Sequence, residues 1–218
     1  MDRDILRYGS LLAVVALITA VVPAGGCRSL LTTVAYLVKG TEVEADFKGL
    51  QGKKVAVVCR PVTTLMFGNR TAAPELARQV SLLLQTNVPR VKVIDHQKVA
   101  EWTDSHDWNE YPEVGKALKA ELVVGIDLQE FTTLQSQMLY QGKATVSVTV
   151  YDCANDGKVV YEKALPQTLY PPNTGISVSD QPEAQFRRKF IRVLADQVGR
   201  HFYAHDPHAD FAQDADAL

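Results

Sequence analysis

An unbroken apolar run lies near the amino terminus of the chain. Residues 11–22 include one polar side chain, that of Thr19, and they are followed by Pro23, small residues and Cys27. This order is typical of the hydrophobic core and cleavage region of a secretory signal peptide. Because a membrane-spanning helix needs about 20 apolar residues, the run is too short to be an anchor, and residues 1–26 are predicted to be a signal peptide.

Alternating β-type and helical patterns follow in the first half of the remaining chain. Residues 54–60, KVAVVCR, form a largely β-branched run that predicts a central strand covered on both faces. Apolar positions at helical spacing predict a helix that starts near Pro74. A further strand and two short helices are predicted at residues 90–95, at residues 97–102 and from Pro112. Strands that alternate with helices in this order predict an α/β unit.

The second half shows antiparallel β patterns. Residues 121–131 begin as a buried run, and residues 144–151 alternate apolar and polar positions, as in a strand with one solvated face. The Asn-Asp-Gly sequence at residues 155–157 predicts a tight turn into a strand at residues 158–165. Residues 134–142 are predicted to be a longer connection between the first two of these strands.

The longest helical pattern covers residues 182–203. Its apolar positions recur mainly at every fourth residue, and they are Phe186, Phe190, Ile191, Leu194, Val198 and Phe202. Such a stripe predicts an amphipathic helix packed on the core. The acidic, alanine-rich residues 205–218 are predicted to be a disordered tail. Residues 53–204 are thus predicted to form a single α/β domain with α+β character in its second half: a mixed sheet of about five strands, helices packed on it and a long C-terminal amphipathic helix.

The small residues before Cys27 resemble the lipobox of bacterial lipoproteins. In that family the thiol receives a diacylglycerol, the signal is cut before the cysteine, and the new amino terminus is acylated with a fatty acid such as palmitate. Residues 27–52 would then be the lipid-attachment site and tether, held stably in a membrane by two or more acyl chains. Two alternatives remain open: a signal cut after Ala24, which leaves a free thiol, and an uncleaved anchor. Residues 28–40 predict a short amphipathic helix, lying either on the membrane or on the folded domain.

The charge balance gives no indication of a nucleic-acid partner. The 218-residue chain has 23 Lys and Arg residues against 25 Asp and Glu residues, a formal net charge of -2 at pH 7. Such a chain has no overall positive field that would attract nucleic acid. We therefore expect none to bind.

Two cysteines lie in the predicted domain, Cys59 and Cys153. If residues 54–60 run parallel to residues 121–131 and the next strand returns antiparallel, these cysteines lie at opposite ends of the sheet. A disulfide needs Cα atoms within about 7 Å of each other. The sequence therefore predicts two separate buried thiols.

Three histidines follow the spacing of metal ligands near the C-terminus. His201, His205 and His208 could hold a metal if the helix continued through them. A frayed helix end that enters a solvated tail explains them better. We expect no metal site.

The polar loop at residues 103–111 could suggest acid–base catalysis. Its candidate residues are His106, Asp107, Trp108 and Glu110. No nucleophile motif accompanies them, and a polar loop anchored by one indole explains the pattern. The sequence also contains no phosphate loop, dinucleotide fingerprint, nucleophile elbow or metalloprotease helix. We therefore expect neither enzymatic activity nor a cofactor.

The loop over residues 60–71 is a candidate ligand-binding site. It leaves the carboxyl end of a central strand, carries Arg60 and Arg70, and leads to the amino terminus of a helix. Anions commonly bind at this place in α/β sheets. The alternative is an exposed loop with two solvated arginines, because Gly68 is its only glycine.

The strand and hairpin segments together resemble a known envelope domain. The segments, within residues 53–165, are KKVAVVCR, RVKVIDHQKVAEW, AELVVGIDLQEF and ATVSVTVYDCANDGKVVYEKAL. In order and pattern they are similar to the small α/β domain shared by the TolB N-terminal region, the curli-secretion lipoprotein CsgG and the LpoB type of envelope lipoprotein. The resemblance implies a non-catalytic envelope protein that binds other proteins. No segment matches the membrane-piercing hairpins of the curli pore.

Two functions stand as hypotheses. The first is a lipoprotein that faces the periplasm, holds membrane lipid through Cys27 and acts as a non-catalytic adaptor or structural component of a cell-envelope assembly, with an envelope protein as partner. The alternative is an envelope receptor for a small ligand or anion that uses residues 60–71. Arg28 after the cysteine favours the outer membrane by analogy. The sequence leaves open the choice between cell membrane and outer membrane, and also the oligomeric state.

Overall fold

The computed structural model describes residues 42–61 and 71–207. In chain order these residues form β1 (Lys54–Pro61), α1 (Ala72–Asn87), β2 (Lys92–Val93), α2 (His96–Ser105), α3 (Tyr111–Leu118), β3 (Leu122–Ser136), β4 (Leu139–Asp152), β5 (Lys158–Ala164), β6 (Thr168–Tyr170), β7 (Ile176–Ser177) and α4 (Glu183–Gly199). The predicted signal peptide, Cys27, residues 28–40 and Arg70 lie outside the described residues. None of the helices in the described ranges is long and apolar enough to cross a membrane.

The strands form one mixed sheet in the order β2-β1-β3-β4-β5. Strand β1 runs parallel to β2 and β3, whereas β4 is antiparallel to β3 and β5. The short strands β6 and β7 also pair with β4. Helices join the parallel strands and short turns join the antiparallel ones, as the geometry of each pairing requires. The predicted mixed α/β sheet with packed helices and a long C-terminal helix is confirmed.

Helices α1 and α4 cover one face of the sheet, which we call the closed face. The apolar alternation in β4 places Val146, Val148 and Val150 on this face, where all three are buried. The predicted apolar stripe of α4 is buried in the same core, with Phe186, Phe190, Ile191, Leu194 and Val198. Burial of a large apolar side chain contributes about 1.5–3 kcal/mol. The closed face therefore holds most of the hydrophobic core.

The opposite face, which we call the open face, is covered only in part. Helices α2 and α3 pack on β1 and on the first half of β3 through a smaller cluster that includes Val58, Val114 and Val123. Farther along the sheet, β4 and β5 present polar side chains such as Ser147 and Glu162, which are half-buried or exposed. The predicted solvated face of the β4 segment is confirmed only in part, because Thr145 and Ser147 are half-buried and Thr149 is buried. This uncovered surface borders the candidate site.

The connection predicted at residues 134–142 is instead part of a long hairpin. Strand β3 continues to Ser136, β4 begins at Leu139, and Leu134 pairs with Tyr140 near the turn. The prediction was wrong because three register shifts interrupt the pairing between Leu128 and Ser136. Such shifts break the two-residue period by which a strand is recognised in a sequence.

The domain boundaries also differ from those expected from the sequence. Residues 42–53, which we call the strap, pack on the closed face instead of forming a free tether: Leu50 is fully buried, and the Phe47 ring lies 5.3 Å from that of Tyr161. Val43 and His205 exchange backbone hydrogen bonds of 2.8 and 3.0 Å. The strap therefore belongs to the folded body, and His205 is ordered against it even though residues 205–218 were assigned to a disordered tail. Residues 208–218 lie outside the described residues.

Candidate functional site

The carboxyl end of β1 and the first half of β3 bring two charged residues together. Arg60 and Asp127 are direct partners in the parallel register of these strands. Tyr111, the first residue of α3, lies against the same place, because an added Cβ at Gly125 would come 2.8 Å from its ring. A glycine on β3 thus allows the aromatic ring to lie flat on the sheet. The end of β1, the first half of β3 and the start of α3 together build the site.

A hydrogen-bond network fixes the charged groups. The Arg60 guanidinium donates to Asp127 Oδ1 from Nη2 at 3.2 Å and from Nε at 3.4 Å, and its Nη1 donates to the Asn109 carbonyl oxygen at 2.9 Å. The single proton of the Tyr111 hydroxyl is shared between two acceptors, Asp127 Oδ1 at 2.9 Å and the Ile126 carbonyl oxygen at 3.0 Å. Burial and the nearby Asp127 carboxylate raise the pKa of Tyr111 well above its usual range, so its hydroxyl remains a donor.

Three aromatic rings extend this network across the open face. The Arg60 Cζ atom lies 5.0 Å from the centre of the Tyr111 ring and 5.8 Å from that of Trp108. Tyr111 in turn stacks on Tyr151, with ring centres 5.5 Å apart and planes inclined by 27°. Cation–π and aromatic contacts at these distances each contribute about 0.5–1.5 kcal/mol. The loop that carries Trp108 is therefore held against the sheet.

A cleft of about 310 Å³ opens beside these rings. Its apolar walls are Tyr111, Pro112, Tyr151 and Gly157. Its polar rim consists of Arg60, Asn109, Glu110 and Asp156. A concave surface that combines aromatic walls with a few polar groups is the usual form of a small-ligand site. This cleft is the candidate functional site.

Of the two arginines predicted to bind a ligand, the structure describes Arg60 and not Arg70. Arg60 lies in the cleft, but its charge is paired with Asp127 and does not project as a free cation. Arg70 and Cys27, the predicted lipidation residue, lie outside the described residues. The 60–71 loop as a whole therefore stays a prediction.

The polar loop at residues 103–111 is anchored by one indole, that of Trp108, as predicted. Trp108 is half-buried and packs on Tyr111, with ring centres 5.6 Å apart. His106 stacks instead on Trp102, at 4.7 Å between ring centres, and its Nδ1 lies 3.0 Å from the Trp102 carbonyl oxygen. The His106 imidazole thus packs on α2 and is not a member of the Arg60 network.

The C-terminal histidines contact the strap. His201 Nδ1 lies 2.8 Å from Asp46 Oδ2, and His205 pairs with Val43 through its backbone. His208 lies outside the described residues. Within the described ranges, no group of three or more His, Cys, Asp and Glu side chains is placed to hold a metal ion.

The two cysteines of the domain are separate free thiols, as predicted. Cys59 is level with Ile126 near the carboxyl end of β1, whereas Cys153 follows the end of the antiparallel strand β4, at the opposite end of the sheet. Both residues are half-buried, although the sequence predicted buried thiols. Burial raises the pKa of both thiols, so neither is activated as a nucleophile.

Sequence reasoning identified Arg60 but not its partners. Asp127 was visible only as one polar position in the alternation of residues 126–129. Its role depends on the parallel register of β1 and β3, which places the two side chains next to each other. Tyr111 begins α3, whereas Tyr151 lies near the end of β4, so the two residues are far apart in the sequence. Their rings meet only because the chain folds.

The sequence matches no protein-family model and no curated protein. Several solved structures are similar to this chain. A PelC dodecamer from Paraburkholderia phytofirmans is 14% identical with a TM-score of 0.43, and the match covers 73% of this chain and 98% of that one. Lipoprotein GNA1162 from Neisseria meningitidis is 12% identical with a TM-score of 0.43, over 67% and 97% of the two chains. The LpoB C-terminal domain from Salmonella enterica is 10% identical with a TM-score of 0.38, over 62% and 91%.

Proposed function

We propose that this chain is a lipid-anchored, non-catalytic protein of the bacterial cell envelope that binds another protein as an adaptor or structural component. The apolar run at residues 11–22 and the small residues before Cys27 support export and lipid attachment. The exposed tip of the β3–β4 hairpin supports protein binding. This tip, residues 134–139, is the observation that carries the proposal.

The hairpin tip is uncharged and exposes apolar side chains. Residues 131–142 contain no Asp, Glu, Lys or Arg. Within the tip, Leu134 is 49% exposed, Met138 70% and Leu139 36%. Single exposed apolar residues are ordinary on protein surfaces, but neighbouring ones without any charge are typical of interaction sites. Methionine suits such a site because its flexible thioether adapts to a partner.

The tip lies far from the place where a tether would enter the body. At the hairpin end, the Tyr140 ring stacks on Phe186 in the first turn of α4, with ring centres 5.1 Å apart. At the other end, Phe47 of the strap donates a 2.9 Å backbone hydrogen bond to His201, just after α4. The chain from Phe186 to His201, most of which is α4, separates these contacts by about 22 Å. A chain that continues from the strap to Cys27 therefore starts at the pole opposite the tip.

The outer edge of β5 is a less suitable partner site. A register shift between Val150 and Tyr151 marks a bulge in the β4–β5 pairing. Lys158 and Lys163 lie on this edge strand and are exposed. Bulges and lysines are the usual features that stop an edge strand from pairing with another chain. Side-chain contacts at the tip fit the structure better than strand addition at β5.

Site-specific photocrosslinking tests the partner contact. A crosslinking amino acid at Met138, in cells, should capture one defined envelope protein, and the purified partner should bind the chain with an affinity that the pair Leu134→Ser and Leu139→Ser lowers. The same crosslinker at Glu162, on the open face, is the matched control. Capture of phospholipid alone from position 138, or equal binding by the serine variant, would contradict the proposal.

Intact mass measurement tests the anchor. The mature wild-type protein should start at Cys27 and carry the mass of a diacylglycerol and an acyl chain, whereas Cys27→Ser should lack that mass and fractionate as a soluble protein. Wild-type protein with an unmodified Cys27, or with a mature start after Ala24, would show that the chain is not a lipoprotein.

The alternative of an anion receptor at residues 60–71 has weaker support. Asp127 already neutralises the Arg60 guanidinium, and the rim of the same cleft carries the Glu110 carboxylate and the Asp156 carboxylate, which is paired with Lys116. These negative groups oppose anion binding. A thermal shift with inorganic phosphate that is lost in both Arg60→Ala and Arg70→Ala would favour this alternative.

A further inference from the structure

The cleft beside Tyr151 has the form of a site for a sugar ring. A pyranose presents C–H groups on its two faces and hydroxyl groups around its edge. A matching site offers a flat aromatic surface to one face and planar polar groups to the edge. The cleft has both, because Tyr151 and Pro112 form its wall and Asn109, Glu110 and Asp156 form its rim. We infer that this cleft binds a neutral pyranose sugar, as part of an oligosaccharide.

The aromatic surface is held in place before any ligand arrives. Tyr151 lies on the open face and is half-buried, with one side of its ring stacked on Tyr111. Tyr111 is itself held by its hydroxyl, whose single proton is shared between the Ile126 carbonyl oxygen and Asp127 Oδ1, and by its contact with Gly125. A fixed ring loses little conformational freedom on binding, which favours affinity.

The rim offers hydrogen bonds without a net positive charge. Of the five N–H groups of Arg60, three are used by Asp127 and the Asn109 carbonyl oxygen. The two that remain can donate to hydroxyl oxygens. The exposed carboxylates of Glu110 and Asp156 can accept from hydroxyl groups, although Asp156 is also paired with Lys116 Nζ at 3.1 Å, and the Asn109 amide can do both. Because Asp127 offsets the guanidinium charge, the site favours a neutral polyol over an anion.

The size of the cleft fits a single ring. Its volume of about 310 Å³ is at the small end of the range of about 300–1,000 Å³ for ligand sites. Gly157 keeps one wall close to the turn, since an added Cβ there would lie 2.6 Å from Pro112 Cγ. Asn109 and Glu110 are exposed, so the cleft opens to solvent and a longer glycan could continue out of it. The partner-binding tip lies on another part of the hairpin.

Titration with defined sugars tests this inference. The probes are the N-acetylglucosamine tetramer and maltotetraose, added to the full chain carrying Cys27→Ser, with binding followed by calorimetry and by the NMR signals of the tyrosine rings. At least one probe should bind saturably in the millimolar range. Tyr151→Ala should weaken binding about tenfold, whereas Tyr151→Phe, which keeps the ring, should retain it.

Two further variants separate the cleft from the rest of the open face. Asn109→Ala changes an exposed rim residue and should weaken binding, with its unfolding midpoint unchanged. Gln129→Ala, exposed on β3 outside the cleft, should bind like wild type. Absence of saturable binding by both sugars, equal binding by Tyr151→Ala, or displacement of the sugar by inorganic phosphate would overturn the inference. Because the hairpin tip is intact in these variants, loss of sugar binding with normal partner capture would leave the proposed adaptor function standing.

Discussion

The closed face and the open face of the sheet are built from the same strands but packed in different ways. On the closed face, two helices bury apolar side chains along β1, β3 and β4. On the open face, a smaller cluster covers β1 and the start of β3. The polar side chains of β4 and β5 and the Tyr151 cleft lie beside this cluster. The comparison shows that one face holds most of the buried apolar core and that the other leaves a cleft open to solvent.

Aromatic residues show the same contrast. Phe131 and Phe190 stack at 5.2 Å in the closed core, where neither side chain has a polar atom to satisfy. Trp108, Tyr111 and Tyr151 on the open face are amphipathic rings bordered by Arg60. Rings with a polar atom suit a boundary between core and solvent. Because successive side chains of a strand point to opposite faces of the sheet, β3 and β4 each contribute residues to both the closed face and the open face.

The largest effect is expected from Phe190→Ala. This side chain is fully buried and lies against Phe131, Tyr170 and Phe186. Its removal should lower the free energy of unfolding by about 3–5 kcal/mol because it leaves a cavity in the closed core. Urea unfolding measures the loss. Tyr151→Ala on the open face is the matched control and should lose clearly less, since its ring is half-exposed; equal losses would contradict the division between the faces.

Glycine substitutions on the two faces should have intermediate effects. An added Cβ at Gly142 would lie 2.5 Å from the Phe190 ring, and one at Gly125 would lie 2.8 Å from the Tyr111 ring. Gly142→Ala should destabilise by about 1–3 kcal/mol, because the ring it meets is enclosed on every side. Gly125→Ala should destabilise less, because the contact that its Cβ would meet is longer and belongs to the smaller cluster on the open face. Thermal unfolding of both variants checks the order, and a larger loss for Gly125→Ala would reverse it.

A smaller effect, dependent on pH, is expected at the strap. A hydrogen bond from His201 and, in smaller part, charge from His201 and Lys163 lower the pKa of Asp46 below its ordinary value of 3.8. Since the folded pKa is the lower one, the stabilisation is complete above pH 3.8 and is lost as the pH falls through the folded value. Asp46 is 43% exposed, so its contribution should be below about 1 kcal/mol.

The variant Asp46→Asn measures this contribution. Its free energy of unfolding should be lower than that of wild type at about pH 5, and the difference should shrink towards about pH 3. Glu162→Gln, on the exposed part of β5, is the control and should show no such change. A difference that grows on acidification would have the wrong sign for a carboxylate with a lowered pKa.

The smallest effect on stability is expected at the hairpin tip. Leu134→Ser and Met138→Ser should each change the free energy of unfolding by less than about 0.5 kcal/mol, because both side chains are exposed. Val148→Ser on the closed face of the same hairpin should, by contrast, be strongly destabilising. A large loss of stability in the tip variants would show that the tip is packed and not available to a partner.

Much of the fold could be predicted from hydrophobic periodicity. The stripe of α4 and the alternation of Val146, Val148 and Val150 were sufficient to predict which side chains are buried. The face of a helix or strand on which a residue lies depends only on the local period of that element. The Asn-Asp-Gly turn was equally local: Asp156 and Gly157 have φ values of 54° and 77°, as this turn chemistry predicts. Where pairing irregularities interrupt the period, as at the end of β3, the prediction failed. The second strand was also predicted longer than the observed Lys92–Val93.

The candidate site could be predicted only in part. Arg60 was identified because it ends an apolar strand, which is a local signal. Its neutralisation by Asp127 depends on the parallel register of two strands separated by three helices. The Tyr111–Tyr151 stack depends likewise on how α3 sits on the sheet. Contacts between distant segments leave no periodic trace in either segment.

The sequence by itself determined the order of strands and helices and the buried stripe of α4, because each follows from a short stretch of side chains and its period. Only the tertiary structure decided that the strap closes on His205, that Arg60 is neutralised, and that an uncharged hairpin tip stands at the pole opposite the strap. These features arise from backbone register and packing between distant residues. The contacts between these residues stabilise the protein only after the sheet has formed, because they join segments that are far apart in the sequence.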